Sequence, residues 1–168
     1  MRVNNIHKRT INQPKERLSV LIRTLATEND LIWPTRNWPS MRFKEGFKIG
    51  AKGGHGIIKY EIIKLKDGES IRFKFIKPEG FIGYHQLHLV GLSEIKTEIV
   101  HEIKMRTTFK ATFFWLFIIR WLHNALIEEA FDNVENHFSV QQKNPQYNYW
   151  VKFLRRAYNR KPTNVKLV

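Results

Sequence analysis

Between Arg42 and Arg106 apolar side chains recur at every second position, and after Phe109 they recur at helical spacing. The first period belongs to strands with one face buried, the second to an amphipathic helix. In the period-two region Phe43, Phe47 and Ile49 alternate with Arg42, Lys44 and Lys48, and Ile58, Tyr60 and Ile62 share a face in the next run. A Lys66-Asp67-Gly68 turn leads to Ile71, Phe73 and Phe75, which alternate with Arg72 and Lys74 before Pro78-Glu79-Gly80. Leu87 and Leu89 mark a fourth strand. Ile95, Ile99, Ile103 and Met105 mark a fifth, alternating with Lys96, Glu98, Glu102, Lys104 and Arg106. Five strands joined by short turns, each with one polar face, describe an antiparallel meander.

A sheet with one apolar face needs a cover. The stripe Trp115, Ile119, Leu122, Leu126, Ala130 and Val134 supplies it on a long helix over residues 109–138, with Glu128, Asp132 and Glu135 on the solvated side. Ahead of the meander, residues 3–12 read as a strand. Pro14 then suits the first turn of a helix with Leu18, Leu21, Ile22 and Leu25 on one face, ending near Asn29. Two Trp-Pro pairs in LIWPTRNWPS form a structured loop. The order predicts an α+β domain with six strands.

With 168 residues and 42% apolar composition the chain is long and hydrophobic enough for one folded core. The absence of cysteine excludes disulfide scaffolds, thiolate zinc sites and thiol nucleophiles. Residues 1–18 hold no apolar core of signal-peptide length, so the expected location is the cytoplasm. The run FFWLFIIRWL, from Phe113 to Leu122, is too short to span a bilayer and reads as buried helix.

The net charge of +14 is unevenly placed: Lys143, Lys152, Arg155, Arg156, Arg160, Lys161 and Lys166 lie in residues 139–168, which hold no acidic residue. Composition shifts there too, which sets a boundary between a folded unit at 1–138 and a basic aromatic tail at 139–168. In the tail, Trp150, Phe153, Leu154 and Ala157 form one face of a short helix. That helix either docks on the body or, through residues 147–161, lies at the periphery of an anionic membrane surface. Nucleic-acid signatures are lacking, so that partner is not expected.

The paired Trp33-Pro34 and Trp38-Pro39, the run GAKGGHG from Gly50 to Gly56, the PEGFIGYH run ending at His85 and LHNALIEEAFD from Leu122 to Asp132 resemble the START-like helix-grip superfamily (SRPBCC), the polyketide cyclase/dehydrase and lipid transport family. The resemblance covers residues 3–138. It implies a curved antiparallel sheet of six or seven strands wrapped around the long C-terminal helix, with a cavity for a hydrophobic small molecule or lipid between them. Members carry lipids, sense hormones or cyclise polyketides without a shared catalytic motif, and no cofactor is implied.

Period two places His85 with Leu87 and Leu89, and His101 between Ile99 and Ile103, while His123 falls inside the helical stripe. Three imidazoles from three elements would then face one interior, with His88 facing away. Glu45 joins them if no bulge intervenes at Gly46. The set admits a zinc site, acid/base chemistry of a cyclase or dehydratase, or structural imidazoles bonded to carbonyls, hydroxyls or water. The GAKGGHG run matches neither a phosphate loop nor a dinucleotide fingerprint and reads as a tight turn or bulge. Trp33, Trp38, Tyr60, Phe73, Phe75, Tyr84, Trp115 and Ile119 are the expected lining of the cavity, with His85, His101, His123 and Tyr60 orienting a polar end. Binding of an apolar ligand is the leading expectation, and catalysis by the same histidines the alternative.

Overall fold

The computed structural model describes residues 1–159. Seven strands form one curved antiparallel sheet in the order β1-β7-β6-β5-β4-β3-β2. They are β1 (Arg2–Ile11), β2 (Arg42–Phe43), β3 (Lys52–His55), β4 (Ile58–Lys66), β5 (Ser70–Lys77), β6 (Phe81–Ser93) and β7 (Lys96–Thr107). From β2 to β7 each strand pairs with the next, and β1 closes the order beside β7 with ten residue pairs from Arg2–Arg106 to Ile11–Thr97.

The helices are α1 (Lys15–Thr24), α2 (Phe109–Phe114), a π-helical stretch (Trp115–Ile119), α3 (Arg120–Phe138) and α4 (Tyr149–Asn159). α2, the π stretch and α3 run on without a break as the expected long helix over 109–138. The indole of Trp121 donates to the Leu116 carbonyl at 3.1 Å across the wider turn. Trp115, Ile119, Leu126, Ala130 and Val134 are buried against the concave face of the sheet, as the stripe requires. Arg9 of β1 fixes the helix laterally: its guanidinium donates to Asp132 at 3.0 Å, to Glu128 at 2.8 Å and to Glu135.

The structure departs from the expected pattern at several places. Of the single strand expected over 42–49 only Arg42–Phe43 is strand. The chain turns at Gly46, whose φ is +80°, and Gly46 N–H donates to the Phe43 carbonyl. Phe43 and Phe47 therefore fold together at 5.4 Å over Phe73, while Ile49 is left exposed. Second, part of GAKGGHG is strand β3 rather than turn. Its glycines admit the edge strand, since a Cβ on Gly53 would lie 2.2 Å from the Arg42 carbonyl oxygen and 2.6 Å from the Phe43 ring.

Third, α1 stops at Thr24, because Ala26 adopts φ +63° and Asp30 accepts its N–H. Ile95 likewise sits exposed in the β6–β7 turn and not on the apolar face of β7. Fourth, α4 packs by Val151 and Leu154, whereas Trp150 and Phe153 remain exposed at 42% and 57%. The tail helix does dock: Trp150 Nε1 donates to the Phe117 carbonyl and Arg155 to the Asn37 carbonyl. Arg160, Lys161 and Lys166 lie outside the described residues. Among the described residues no helix is long and apolar enough to cross a membrane.

Candidate functional site

Strands β5, β6 and β7 on one side and the α2–α3 helix on the other do not meet everywhere. They leave a cavity of about 340 Å³. Its wall is built from alternate residues of the strands (Phe73 and Phe75, then Phe81, His85 and Leu87, then His101 and Ile103) and from Trp115, Ile119, Leu122, His123 and Leu126 on the helix. Trp33 and Trp38 enter from the Trp-Pro loop. The exposed members of the lining, Asn37, Ile57, Ala157 and Tyr158, mark its mouth. α4 lies across that mouth, close enough that a Cβ on Gly56 would come within 2.8 Å of the Tyr158 hydroxyl.

Among the residues singled out from sequence, Trp33, Trp38, Phe73, Phe75, His85, His101, Trp115, Ile119 and His123 line this space. Tyr60 does not. It is wholly buried behind the wall, and its hydroxyl is 3.1 Å from His55 Nδ1. Tyr84 also lies elsewhere, on the other face of the sheet under the Arg72 guanidinium. Glu45 is exposed, because the turn at Gly46 breaks the alternation that would have carried it inward. His88 faces away from the cavity, as its odd spacing from His85 requires.

The three imidazoles meet as a row. His85 Nδ1 is 3.3 Å from His101 Nε2, and the rings of His101 and His123 are 4.9 Å apart. Beyond His123 the row continues through Asn124 Oδ1 to His7 Nε2 at 3.1 Å, and His7 Nδ1 reaches the partly exposed Glu128 at 2.6 Å. Within the cavity wall, His85 Nε2, His101 Nδ1 and His123 Nε2 have no hydrogen-bond partner among the described residues. Burial among apolar and aromatic groups disfavours the charged ring, so His85 and His101 titrate well below the ordinary histidine range, and His123 is pushed down to about 3. The same desolvation brings His55, against Trp33 at 4.7 Å, down to about 3. No carboxylate joins the row inside the cavity. Among the described residues no group of three or more His, Asp or Glu side chains is placed to hold a metal ion.

A second polar cluster, not foreseen from sequence, holds the mouth. Glu129 is 5% exposed and accepts Asn37 Nδ2 at 2.6 Å, Trp38 Nε1 at 2.7 Å and the Tyr147 hydroxyl. Desolvation and that bond push the Tyr147 hydroxyl up to about 12. Arg155 lies over both rings, 4.8 Å from Trp38 and 4.2 Å from Tyr147. The helix, the Trp-Pro loop and the tail are thus tied at one buried carboxylate. Its signal was present in the sequence: Glu129 follows Leu126 by three, an acid on the apolar side of the helix.

No family model and no curated protein matches the chain. Solved structures do. Norcoclaurine synthase from Thalictrum flavum, a point mutant in complex with a transition-state analogue, superposes with a TM-score of 0.60 over 83% of this chain and 99% of its own, at 11% identity. Ginseng major latex-like protein 151 from Panax ginseng gives 0.58 over 81% and 97%, at 15% identity. CalU16 from Micromonospora echinospora gives 0.59 over 94% and 87%, at 10% identity. At such identities the likeness is one of architecture, and it agrees with the sheet and helices described above: the chain has the START-like helix-grip fold.

Proposed function

We propose that the protein binds a hydrophobic small molecule or lipid in the cavity between the sheet and the long helix. The observation that carries this reading is an apolar, aromatic-walled space of about 340 Å³ whose few polar atoms converge from three elements. That combination is typical of small-molecule sites. The architectural likeness to proteins such as norcoclaurine synthase supports the same reading. Holding a ligand is favoured over turning it over, because burial that lowers the imidazoles also weakens each as a general base. The test is displacement of an environment-sensitive apolar fluorophore by 1-decanol, in the native protein and in Leu122→Trp, whose larger side chain fills the space. Saturable displacement lost in Leu122→Trp supports the cavity; equal displacement in both proteins contradicts it.

A second reading, peripheral contact with an anionic membrane, is favoured by an exposed aromatic surface beside the mouth. Phe109, Phe113 and Phe117 are 79%, 52% and 56% exposed and stack along one helix edge at 5.1 and 6.2 Å. Trp150, bonded to the Phe117 carbonyl, and Phe153 continue the surface on α4. The segments 103–127 and 136–159 contain no acidic residue. Aromatic rings at headgroup level with flanking Lys and Arg suit an anionic bilayer. Co-sedimentation with phosphatidylserine vesicles, lost at high salt and in Phe117→Glu/Phe153→Glu, is the expected result. Equal binding to phosphatidylcholine vesicles, or none to either, would exclude it.

A further inference from the structure

The unpartnered nitrogens of the histidine row define what the buried end of a ligand must be. His85 and His101 are 7% and 5% exposed, and both line the cavity. Their rings meet through His85 Nδ1 and His101 Nε2 at 3.3 Å, so one ring donates its N–H to the other. In a pair of neutral imidazoles this leaves one N–H donor and one lone pair at the outer ends, whichever ring donates. Those outer ends are His85 Nε2 and His101 Nδ1, and neither finds a partner among the described residues. His123 adds a third position. Its Nδ1 lies 3.5 Å from Asn124 Oδ1, an oxygen that also meets Asn5 Nδ2 at 3.2 Å and His7 Nε2 at 3.1 Å, and its Nε2 has no partner among the described residues.

The surroundings keep this set neutral. Phe73 stacks on His85 at 4.7 Å, Phe75 and Tyr60 lie within about the same distance, and Trp115 is 6.1 Å from His123. Among the described residues no acid stands in the cavity wall, and the cation there, Arg155, is at the mouth over Trp38 and Tyr147. A cationic head would meet an N–H donor with no counter-charge. An anionic head would meet lone pairs in a medium that cannot solvate it. A hydroxyl group both donates and accepts, and matches the mixed set.

We infer that the cavity selects amphiphiles whose buried end is a neutral hydroxyl group, an alcohol or phenol, held by His85, His101 and His123. The inference rests on the proposed cavity binding and narrows it to a ligand class. Unsatisfied buried polar atoms are costly, so the ligand that pairs them gains over one that cannot.

The experiment uses four probes of one chain length on the full-length protein at pH 7.5: 1-decanol, decane, decylammonium and decanoate. Binding is read by displacement of the apolar fluorophore. 1-Decanol is expected to bind about tenfold or more tightly than each of the other three. In His85→Phe, and separately in His123→Phe, the preference over decane should fall to within about twofold while decane itself still binds. Equal affinity for decanol and decane, or tighter binding of either charged probe, would overturn the inference and leave cavity binding standing. Failure of all four to bind would overturn the cavity reading and the inference with it.

Discussion

At the scale of single residues, the buried imidazoles make stability depend on pH. His55 and His123 titrate near 3 when folded, and His85 and His101 well below their ordinary value, whereas all four return to about 6.5 in the unfolded chain. Between those limits the unfolded state binds more protons, so stability is full above about pH 6.5 and declines as pH falls toward 3. Urea midpoints from pH 8 to pH 4 should show this decline, and His101→Phe should flatten it. An unchanged slope would mean that the ring is not buried as described. Glu129 offers a second test. Glu129→Leu leaves Asn37, Trp38 and Tyr147 without their acceptor and should cost about 3 kcal/mol in urea unfolding. Residue-level patterning in the sequence was sufficient to bring His85, His101 and His123 together, because strand and helix periods fix which way each side chain points. It failed at Glu45, where one glycine at positive φ cancels the alternation, and it passed over Glu129, whose partners Asn37 and Trp38 lie 92 and 91 residues before it and Tyr147 18 residues after it.

At the scale of elements, the edge of the sheet depends on a close approach that only glycine allows. Gly53→Ala should lift β2 away and cost about 2 kcal/mol, since its Cβ meets backbone 2.2 Å away. Gly50→Ala, with nothing within 4 Å, should cost only the left-handed backbone preference of about 1 kcal/mol. Thermal unfolding of both variants checks the difference. The long helix and β4 to β7 were legible because each is long enough for its period to be read past the π-helical stretch at Trp115–Ile119 and the register shift after Ile62. β2 and β3 were not: they are two and four residues long, and glycine gives no burial pattern to read. The seam of α4 was misassigned for another reason. Trp150 and Phe153 are the larger apolar residues, yet the geometry of the docked helix buries Val151 and Leu154. Val151→Asp should therefore release α4 and speed the exchange of any cavity ligand, with little loss of global stability. Unaltered exchange would show that the mouth lies elsewhere.

At the scale of the whole molecule, a one-sided sheet and one long helix bury most of each other and stop short of closing. The remaining space is walled largely by apolar and aromatic side chains, and the Trp-Pro loop and Tyr147, just ahead of α4, are fastened beside its opening through Glu129. The sheet-and-helix architecture followed from the order and period of elements, and the cavity followed from the resemblance, since no pattern along a chain states whether facing aromatics meet or leave a gap. Methyl NMR during titration with 1-decanol tests ligand binding in the cavity. Occupancy of the cavity should give saturable shifts at Ile103, Ile119, Leu122 and Leu126, with Ile6 and Ile82 on the outer surface unmoved. Shifts confined to Ile6 and Ile82, or no saturable shift at the interior methyls, would contradict it.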